Sequence, residues 1–442
     1  MDLNPYQSPE LTEALPQKTW DWLALLKSNK DFLVCLIDQG VVSVAGFATT
    51  ILIKRYSSES ELGVYYIALA IFMFFRGIQQ QMICVPYTIY QHQHADERSD
   101  QYRGSCLIQQ FGLVALVLLF VAAQATCALN GLGEAETAPA LFMLVALLPV
   151  LMMREIARNY CFAHLKKVSA LVIDSSISAL QIVGLFAVGY LGYMSGATAW
   201  TVIGLSCLAT LVVWYLKSGP KVEFVKPSIS ADWKLNWSFG KWAVAGQVIG
   251  SLPNFILPLV LTAYVSTAGT GYFAAAMALI GFANIFNVGM TNFLTPRAAS
   301  VYADHGVSGL KKMFIKMAIV FIVALGGFIV LIALFGGWIA EAIFEISNLQ
   351  TVMTVLAIAK LFEALVIVAS VGLYVMEKIK ANFYVDVCLM IFSLIAMACL
   401  IPTLRLEGAA WSLAAIAIFN AVLRGFVLRH FLIKQSKLEG AQ

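Results

Sequence analysis

Charge is what this chain has least of. Only 12% of its 442 residues are Asp, Glu, Lys or Arg, about half of the roughly 25% that a soluble domain carries. A chain so poor in charge cannot cover a water-exposed surface of its own size, and lipid must cover most of it. Cysteine chemistry is absent too. The eight cysteines (35, 84, 106, 127, 161, 207, 388 and 399) are scattered through mostly apolar runs with no Cys-x-x-Cys pair, which excludes a disulfide framework or a zinc module. The five histidines fall in or beside polar stretches, and His92 and His94 have no further ligand nearby, so no metal site is expected. No Gly-rich phosphate loop and no Ser/His/Asp cluster stands in the sequence. An enzyme, a cofactor and a nucleic-acid partner are therefore not expected. The first 30 residues are polar, with Pro5, Pro9 and Pro16 and no apolar core, so a cleavable leader is not expected either.

What is present is apolar sequence in long runs: 60% of residues are hydrophobic and the mean hydropathy is +0.81. Crossing the hydrocarbon takes roughly 20 apolar residues as helix. The runs predict an all-α, polytopic membrane protein with about twelve spans. Six fall near 31–53, 62–88, 106–127, 138–161, 168–190 and 196–216. Six more fall near 237–263, 270–295, 313–335, 350–376, 381–402 and 407–432. Lysine and arginine accumulate in cytoplasmic loops. On this map only Lys54, Arg55 and Arg405 of the 29 basic residues lie in outer loops, and Arg76 and Lys360 lie within spans. The remaining 24 fall on the inner side, in loops or at the inner ends of spans, which predicts a cytoplasmic-membrane protein with both termini cytosolic. Trp20, Trp22, Trp233, Trp237 and Trp242 stand at cytosolic helix starts, as interfacial anchors do.

The chain also repeats itself. An offset of 208 residues pairs Gln39 with Gln247, Ser43 with Ser251, Phe47 with Phe255, Ser58 with Ser266 and Gly63 with Gly271. Downstream, Lys166 and Asp174 match Lys378 and Asp386 at 212, and Ala199-Trp200 matches Ala410-Trp411 at 211. Anchors in the same order predict two six-helix lobes, 31–216 and 237–432. An even number of spans per lobe gives both the same orientation, related by a pseudo-twofold along the membrane normal. Segments 1–30 and 433–442 are then cytosolic ends, and the basic stretch 217–236 is the cytosolic linker between lobes.

Asp38-Gln39 in the first span, Leu62-Gly63-x-Tyr65 opening the second and Arg154-Glu155-x-x-Arg158-x-x-x-Phe162-Ala163 ending the fourth resemble the polysaccharide and O-antigen flippases. These belong to the superfamily that also holds multidrug-and-toxin extruders and the lipid II flippase. The competing six-plus-six fold, the major facilitator type, carries a Gly-x-x-x-Asp-Arg-x-Gly-Arg-like loop after its second helix. Residues 91–98 here read Gln-His-Gln-His-Ala-Asp-Glu-Arg and do not match it. The resemblance implies a transporter that moves a lipid-linked oligosaccharide or polysaccharide precursor by alternating access. Its substrate would be an anionic carrier lipid, its coupling ion a proton or sodium, and its partners glycosyltransferases or a glycan polymerase. The alternative is a cation-coupled multidrug or small-molecule antiporter of the same fold; a third class, a non-transporting scaffold, would not need charges buried at matched depth in both lobes.

Charges inside spans carry the functional expectation, because each costs about 2.5–3.5 kcal/mol or more if left facing lipid. Asp38, Asp174 and Arg76 all fall roughly 10 Å from the cytosolic edge at about 1.5 Å per residue. The second half repeats the layout with Lys360, Glu363 and Asp386. Arg76, Gln80, Asn284, Asn287 and Lys360 are the expected substrate contacts, with Asn284 at the repeat position of Arg76. Asp38, Asp174, Glu363 and Asp386 are the expected ion-coupling acids. The structural alternative is that Asp38, Asp174 and Arg76 neutralise one another, as Lys360 and Glu363 do three apart on one helix face. Asn284, Asn287 and Asn292 serve equally as interhelical glue. Pro253 and Pro258 predict a bend in the seventh span, whereas Pro86 and Pro296 read as helix boundaries. Arg154, Arg158, Lys166 and Lys167 read first as ordinary inside charges.

Overall fold

A computed structural model describes residues 30–91, 96–131, 133–376 and 378–439. Trp20 and Trp22, the His92-Gln93-His94 run and the side chains of Asn292 and Pro296 lie outside the described residues. The first half holds α1 (Lys30–Tyr56), α2 (Glu59–Tyr90), α3 (Asp96–Leu129), α4 (Ala138–Ala163), α5 (Lys167–Tyr190) and α6 (Gly196–Ser218). The second holds α7 (Lys226–Tyr264), α8 (Thr267–Ile280), α9 (Phe282–Phe344), α10 (Gln350–Val375) and α11 (Ile379–Glu439). Ten helices among the described residues are long and apolar enough to cross a membrane; the chain is a multi-pass membrane protein.

Two of these elements are too long to be single rods. At 1.5 Å per residue, the 63 residues of α9 and 61 of α11 would run to about 90 Å, three times the hydrocarbon thickness. Each reverses at one residue. Gly306 in α9 has φ 58° and ψ −153°, a region that essentially only glycine occupies, and Phe286 then meets Phe321 edge to face at 5.7 Å. Arg405 in α11 has φ 53°. Across that turn the Ser412 hydroxyl donates to the Ala396 carbonyl at 3.3 Å, and Phe392 stacks on Phe419 at 4.2 Å. Each element is thus a helical hairpin whose arms are single crossings. The segment 267–304, interrupted at Gly281, covers the eighth predicted span.

The packing pairs repeat between halves. α1 lies on α5 as α7 lies on α11, and α4 meets α6 as α10 meets α11. At one end of the bundle the halves meet through repeat-related residues. Ser58 caps α2 by accepting from the Glu61 amide at 3.3 Å, and its counterpart Ser266 caps α8 by accepting from Gly269 at 3.0 Å, each satisfying an orphan donor. One turn inside, α2 and α8 cross with no room for a side chain. A Cβ on Gly63 would overlap the Thr267 carbonyl oxygen, and a Cβ on Gly271 would overlap that of Glu59. Gly63 pairs with Gly271 in the repeat and Glu59 with Thr267, so the contact is reciprocal, as an axis between duplicated halves requires. Small residues that admit close backbone approach are how membrane helices associate.

The structure revises three local expectations. Residues 226–236 are not linker but the first three turns of the 39-residue α7. Pro86 does not end the second span. A π turn over Gln80–Cys84 inserts into α2, and the helix runs on through Pro86 to Tyr90. Arg154, Arg158 and Arg424, counted with the inner-side charges, are bound to carboxylates on other helices or hairpin arms.

The glycine contact has a direct test. Thr267 is only 5% exposed, so a Thr267→Cys probe should react slowly with a water-soluble maleimide. Gly63→Val must push α2 and α8 apart and should raise that labelling rate about tenfold or more. An unchanged rate would show that the two helices do not close on each other there.

Candidate functional site

α4 brings the first half's charges together. Arg154 and Arg158 are four apart, one turn, on the same face, and Glu155 stands beside them. The Arg154 Nη2 donates to Asp174 Oδ1 on α5 at 2.6 Å. Arg158 reaches both neighbours: its Nη2 donates to Asp38 Oδ2 on α1 at 2.7 Å, and its Nε lies 2.6 Å from Asp174 Oδ2. Glu155 takes Arg76 Nε from α2 at 2.8 Å, with Arg154 Nη1 at 3.7 Å. Asp174, Asp38 and Glu155 are 0%, 2% and 5% exposed. The chain of contacts runs from Arg76 through Glu155, Arg154, Asp174 and Arg158 to Asp38. Three guanidinium groups face three carboxylates, so the cluster is neutral, the condition under which charge survives burial.

The expected pairing of Arg76 with Asp38 or Asp174 is therefore not what the structure contains. Both acids belong to the α4 arginines, and Arg76 belongs to Glu155. Asp38 and Asp174 are nevertheless brought together, since one guanidinium touches both. Arg154 and Arg158, read from the sequence as inside charges, are the centre of the cluster. The available signal was their position within the predicted fourth span, 138–161, where a loop charge has no place.

A cavity of about 750 Å³ opens on this cluster. Asp38, Arg154 and Arg158 line it from the first half, with Tyr65 and Trp200 beside them and Asn284 opposite from the second half. Tyr65 and Trp200 lie 5.4 Å apart. A second cavity of about 530 Å³ shares Tyr66, Leu69, Met73 and Met277 with the first and lies between the halves. Its polar wall is Lys360, Glu363, Ser251 and Asn254. The Lys360 ammonium donates to Glu363 at 2.7 Å. Phe74 of α2 packs on Phe255 of α7 at 4.6 Å across it. Together the two spaces form one central chamber with arginines at one pole and a lysine–glutamate pair at the other.

The other expected residues stand apart from it. Arg76 is one-third exposed and is not among the residues lining these cavities. Gln80 heads the π turn, half-buried. Its neighbour Gln79 is fully buried and donates to Gln110 Oε1 at 3.0 Å and to the Met152 carbonyl at 2.8 Å, which makes it interhelical glue. Asn287 is buried and is not among the residues lining these cavities. Asp386 is held by Arg424, whose Nη1 also donates to Asn382 at 2.8 Å and Ser370 at 3.1 Å.

A two-lobed bundle of membrane helices around an internal chamber is the architecture of a transporter. The sequence model of the polysaccharide biosynthesis protein family matches residues 28–276, more than half of the chain, and the chain belongs to that family. No curated protein matches the sequence. Among solved structures, an inward-facing multidrug resistance MATE family transporter of the MOP superfamily is 14% identical, with a TM-score of 0.76 over 90% of this chain and 96% of that one. The lipid II flippase MurJ in an inward closed conformation is 15% identical, with a TM-score of 0.72 over 90% of this chain and 87% of that one. A MOP superfamily transporter from Pyrococcus furiosus, described as having a binding pocket of reversed polarity, is 15% identical, with a TM-score of 0.63 over 95% of this chain and all of that one. At these identities the likeness is one of fold.

The cluster predicts an order of sensitivity. Asp174→Asn leaves three guanidinium groups facing two carboxylates, and breaking a buried pair costs about 3–5 kcal/mol; membrane abundance and the unfolding temperature in detergent should both fall sharply. Arg76→Ala exposes only Glu155, and adding Glu155→Gln should restore abundance. Failure of that rescue would mean that Arg76 has another structural partner.

Proposed function

We propose that the protein is a flippase that carries a lipid-linked oligosaccharide or polysaccharide precursor across the cytoplasmic membrane by alternating access. One observation carries the reading: Arg154 and Arg158 form the wall of the chamber between the lobes. Guanidinium matches phosphate oxygens in a bidentate fork. The phosphate of an anionic carrier lipid would take over the arginine contact now held by Asp38, with the glycan extending past Tyr65 and Trp200 toward Lys360 and Asn284. Arg76 then acts behind the chamber, fixing Glu155 and through it Arg154, rather than touching the substrate. Gln80 and Asn287 play supporting parts in the helix packing.

Of the candidate coupling acids, Asp38 keeps one carboxylate oxygen, Oδ1, buried and without a partner, and it lines the chamber. It is the group to bind a proton or sodium ion when substrate releases Arg158. Asp174 is claimed by two arginines and Asp386 by Arg424. Glu363 is tied to Lys360 but lines the chamber, and is the second-lobe counterpart. The base-rich end is cytosolic, so closure at Gly63 and Gly271 makes this the state that loads from the cytosol. Glycosyltransferases would supply the substrate and a polymerase consume it.

Export of surface glycan tests the substrate role. Arg158→Lys keeps the charge but loses the fork, and should lower export about tenfold at near-normal abundance; Arg158→Ala should lower it further. Normal export by Arg158→Lys would refute phosphate recognition here. A multidrug antiporter, the reading that the aromatic chamber wall also fits, requires the opposite: lost drug resistance with glycan export intact.

Sidedness is tested separately. Tyr193 is 72% exposed, so in a cysteine-free background Tyr193→Cys should be labelled from outside intact cells and Val225→Cys only after permeabilisation. Labelling of position 225 in intact cells would invert the topology.

A further inference from the structure

Outside the chamber, on the lipid-facing side of the seam between the lobes, α3 and the start of α7 enclose a groove of about 560 Å³. That is within the roughly 300–1,000 Å³ of ordinary ligand sites. It is graded along its length. Its mouth holds Lys226, Ser230 and Trp233 from the first two turns of α7, and its floor holds Gly112 and Leu116, further along α3. Trp233 stacks on Trp237 at 6.2 Å with nearly parallel rings, which sets the mouth at the membrane–water boundary. Leu116 is 67% exposed and faces hydrocarbon.

Two features of the protein itself point to an occupant with a phosphate and an ester. The first is the helix start: α7 begins at Lys226 with no side-chain cap on its amides, so the positive end of a 39-residue helix and a lysine meet at the mouth. The second is Gln109, which lines the groove between mouth and floor and is 96% buried by its 4% exposure. Its orientation is fixed by a chain of hydrogen bonds. The Tyr102 hydroxyl donates to Asn236 Oδ1 at 2.7 Å, and Asn236 Nδ2 donates to Gln109 Oε1 at 2.9 Å. Gln109 Nε2 is then a buried donor with no acceptor in the protein. A group of this kind costs about 1–3 kcal/mol unless something accepts from it.

We infer that this groove is a binding site for one anionic phospholipid of the surrounding bilayer. Its phosphate sits at Lys226, Ser230 and the amino end of α7. An ester carbonyl accepts from Gln109, and one acyl chain runs over Gly112 toward Leu116. The acids nearest the mouth do not oppose this: Asp232 is held by Arg98, and Glu223 is exposed, with its amide bonded to the Asp100 carbonyl at 3.2 Å. The lipid bridges the two halves, because α3 belongs to the first and α7 to the second. The site is separate from the chamber and stands whether or not the flippase reading does.

Gly112 supplies the test, since a side chain built there meets nothing within 4 Å and Gly112→Leu fills the floor without disturbing the fold. The purified full chain should retain one phosphatidylglycerol in native mass spectrometry. Its unfolding temperature should rise more with palmitoyl-oleoyl-phosphatidylglycerol than with the phosphatidylcholine of the same chains. Gly112→Leu should bind phosphatidylglycerol about tenfold more weakly, a loss of about 1.4 kcal/mol, while unfolding no earlier than the parent in lipid-free detergent. Lys226→Gln should still bind lipid but lose the preference for the anionic headgroup. Parent-like binding by Gly112→Leu, or equal stabilisation of the parent by both lipids, overturns the proposal. Displacement of phosphatidylglycerol by equimolar polyprenyl phosphate overturns it as well, assigning the groove to a carrier lipid.

Discussion

Neutrality of charge inside the bilayer is the constraint on which the first lobe depends. α4 carries two arginines one turn apart, and a guanidinium at that depth is stable only against a carboxylate or water. Asp174 answers both from α5, and Asp38 answers Arg158 from α1. That requirement fixes the heights of three helices relative to one another. Glu155 extends the chain to Arg76 and so to α2. Four helices of the lobe are thereby pinned at one level by ion pairs, where apolar packing alone would leave them free to slide, since lipid tails solvate a leucine as well as a neighbouring helix does.

α2 is also where the lobes touch. Its first turns meet α8 through Gly63, and a Cβ on Gly77 would overlap the Gln247 amide of α7. Further along, a Cβ on Gly240 of α7 would come 3.3 Å from the Gln81 carbonyl oxygen in the π turn. A π turn inserts one residue per turn of ladder and changes the face a helix presents beyond it. The face of α2 that follows the π turn, beside Gly240 of α7, is therefore rotated from the one that meets α8.

The fold was legible in the sequence because the physics behind it is additive along the chain. Apolar runs of bilayer length and the 208-residue offset each report on many residues at once. The offset even found the gate-like contact, since Gly63 and Gly271 were aligned before their helices were seen to cross. The site was legible only in part. Asp38 and Asp174 stood out as isolated acids in apolar spans. Arg154, Arg158 and Arg424 did not, because arginine near the inner end of a span is the commonest topological signal and masks a buried one. The first turns of α7 were hidden for a related reason: Lys226, Ser228, Asp232 and Asn236 make a polar stretch that reads as a loop, yet its polar side chains face α3. Asn236 is 2% exposed and bonded to both Tyr102 and Gln109.

Duplication has left the two lobes with the same acid and different bases. Asp174 and Asp386 are repeat-related, yet the first is neutralised by α4 and the second by Arg424 from the last arm of α11. Arg424 directs its remaining donors to Asn420, Ser370 and Asn382, so that cluster ties helices of the second lobe together and is not among the residues lining the chamber. The position on the second lobe that does open carries Lys360 and Glu363, a pair on one helix that needs no partner from elsewhere. The chamber is thus polarised: forked, network-bound cations on one wall and a self-contained ion pair on the other. A symmetric ligand gains nothing from such a space. On the proposed flippase reading, a molecule with a phosphate at one end and a neutral or mixed polar body at the other would meet complementary chemistry at both poles, and in only one orientation.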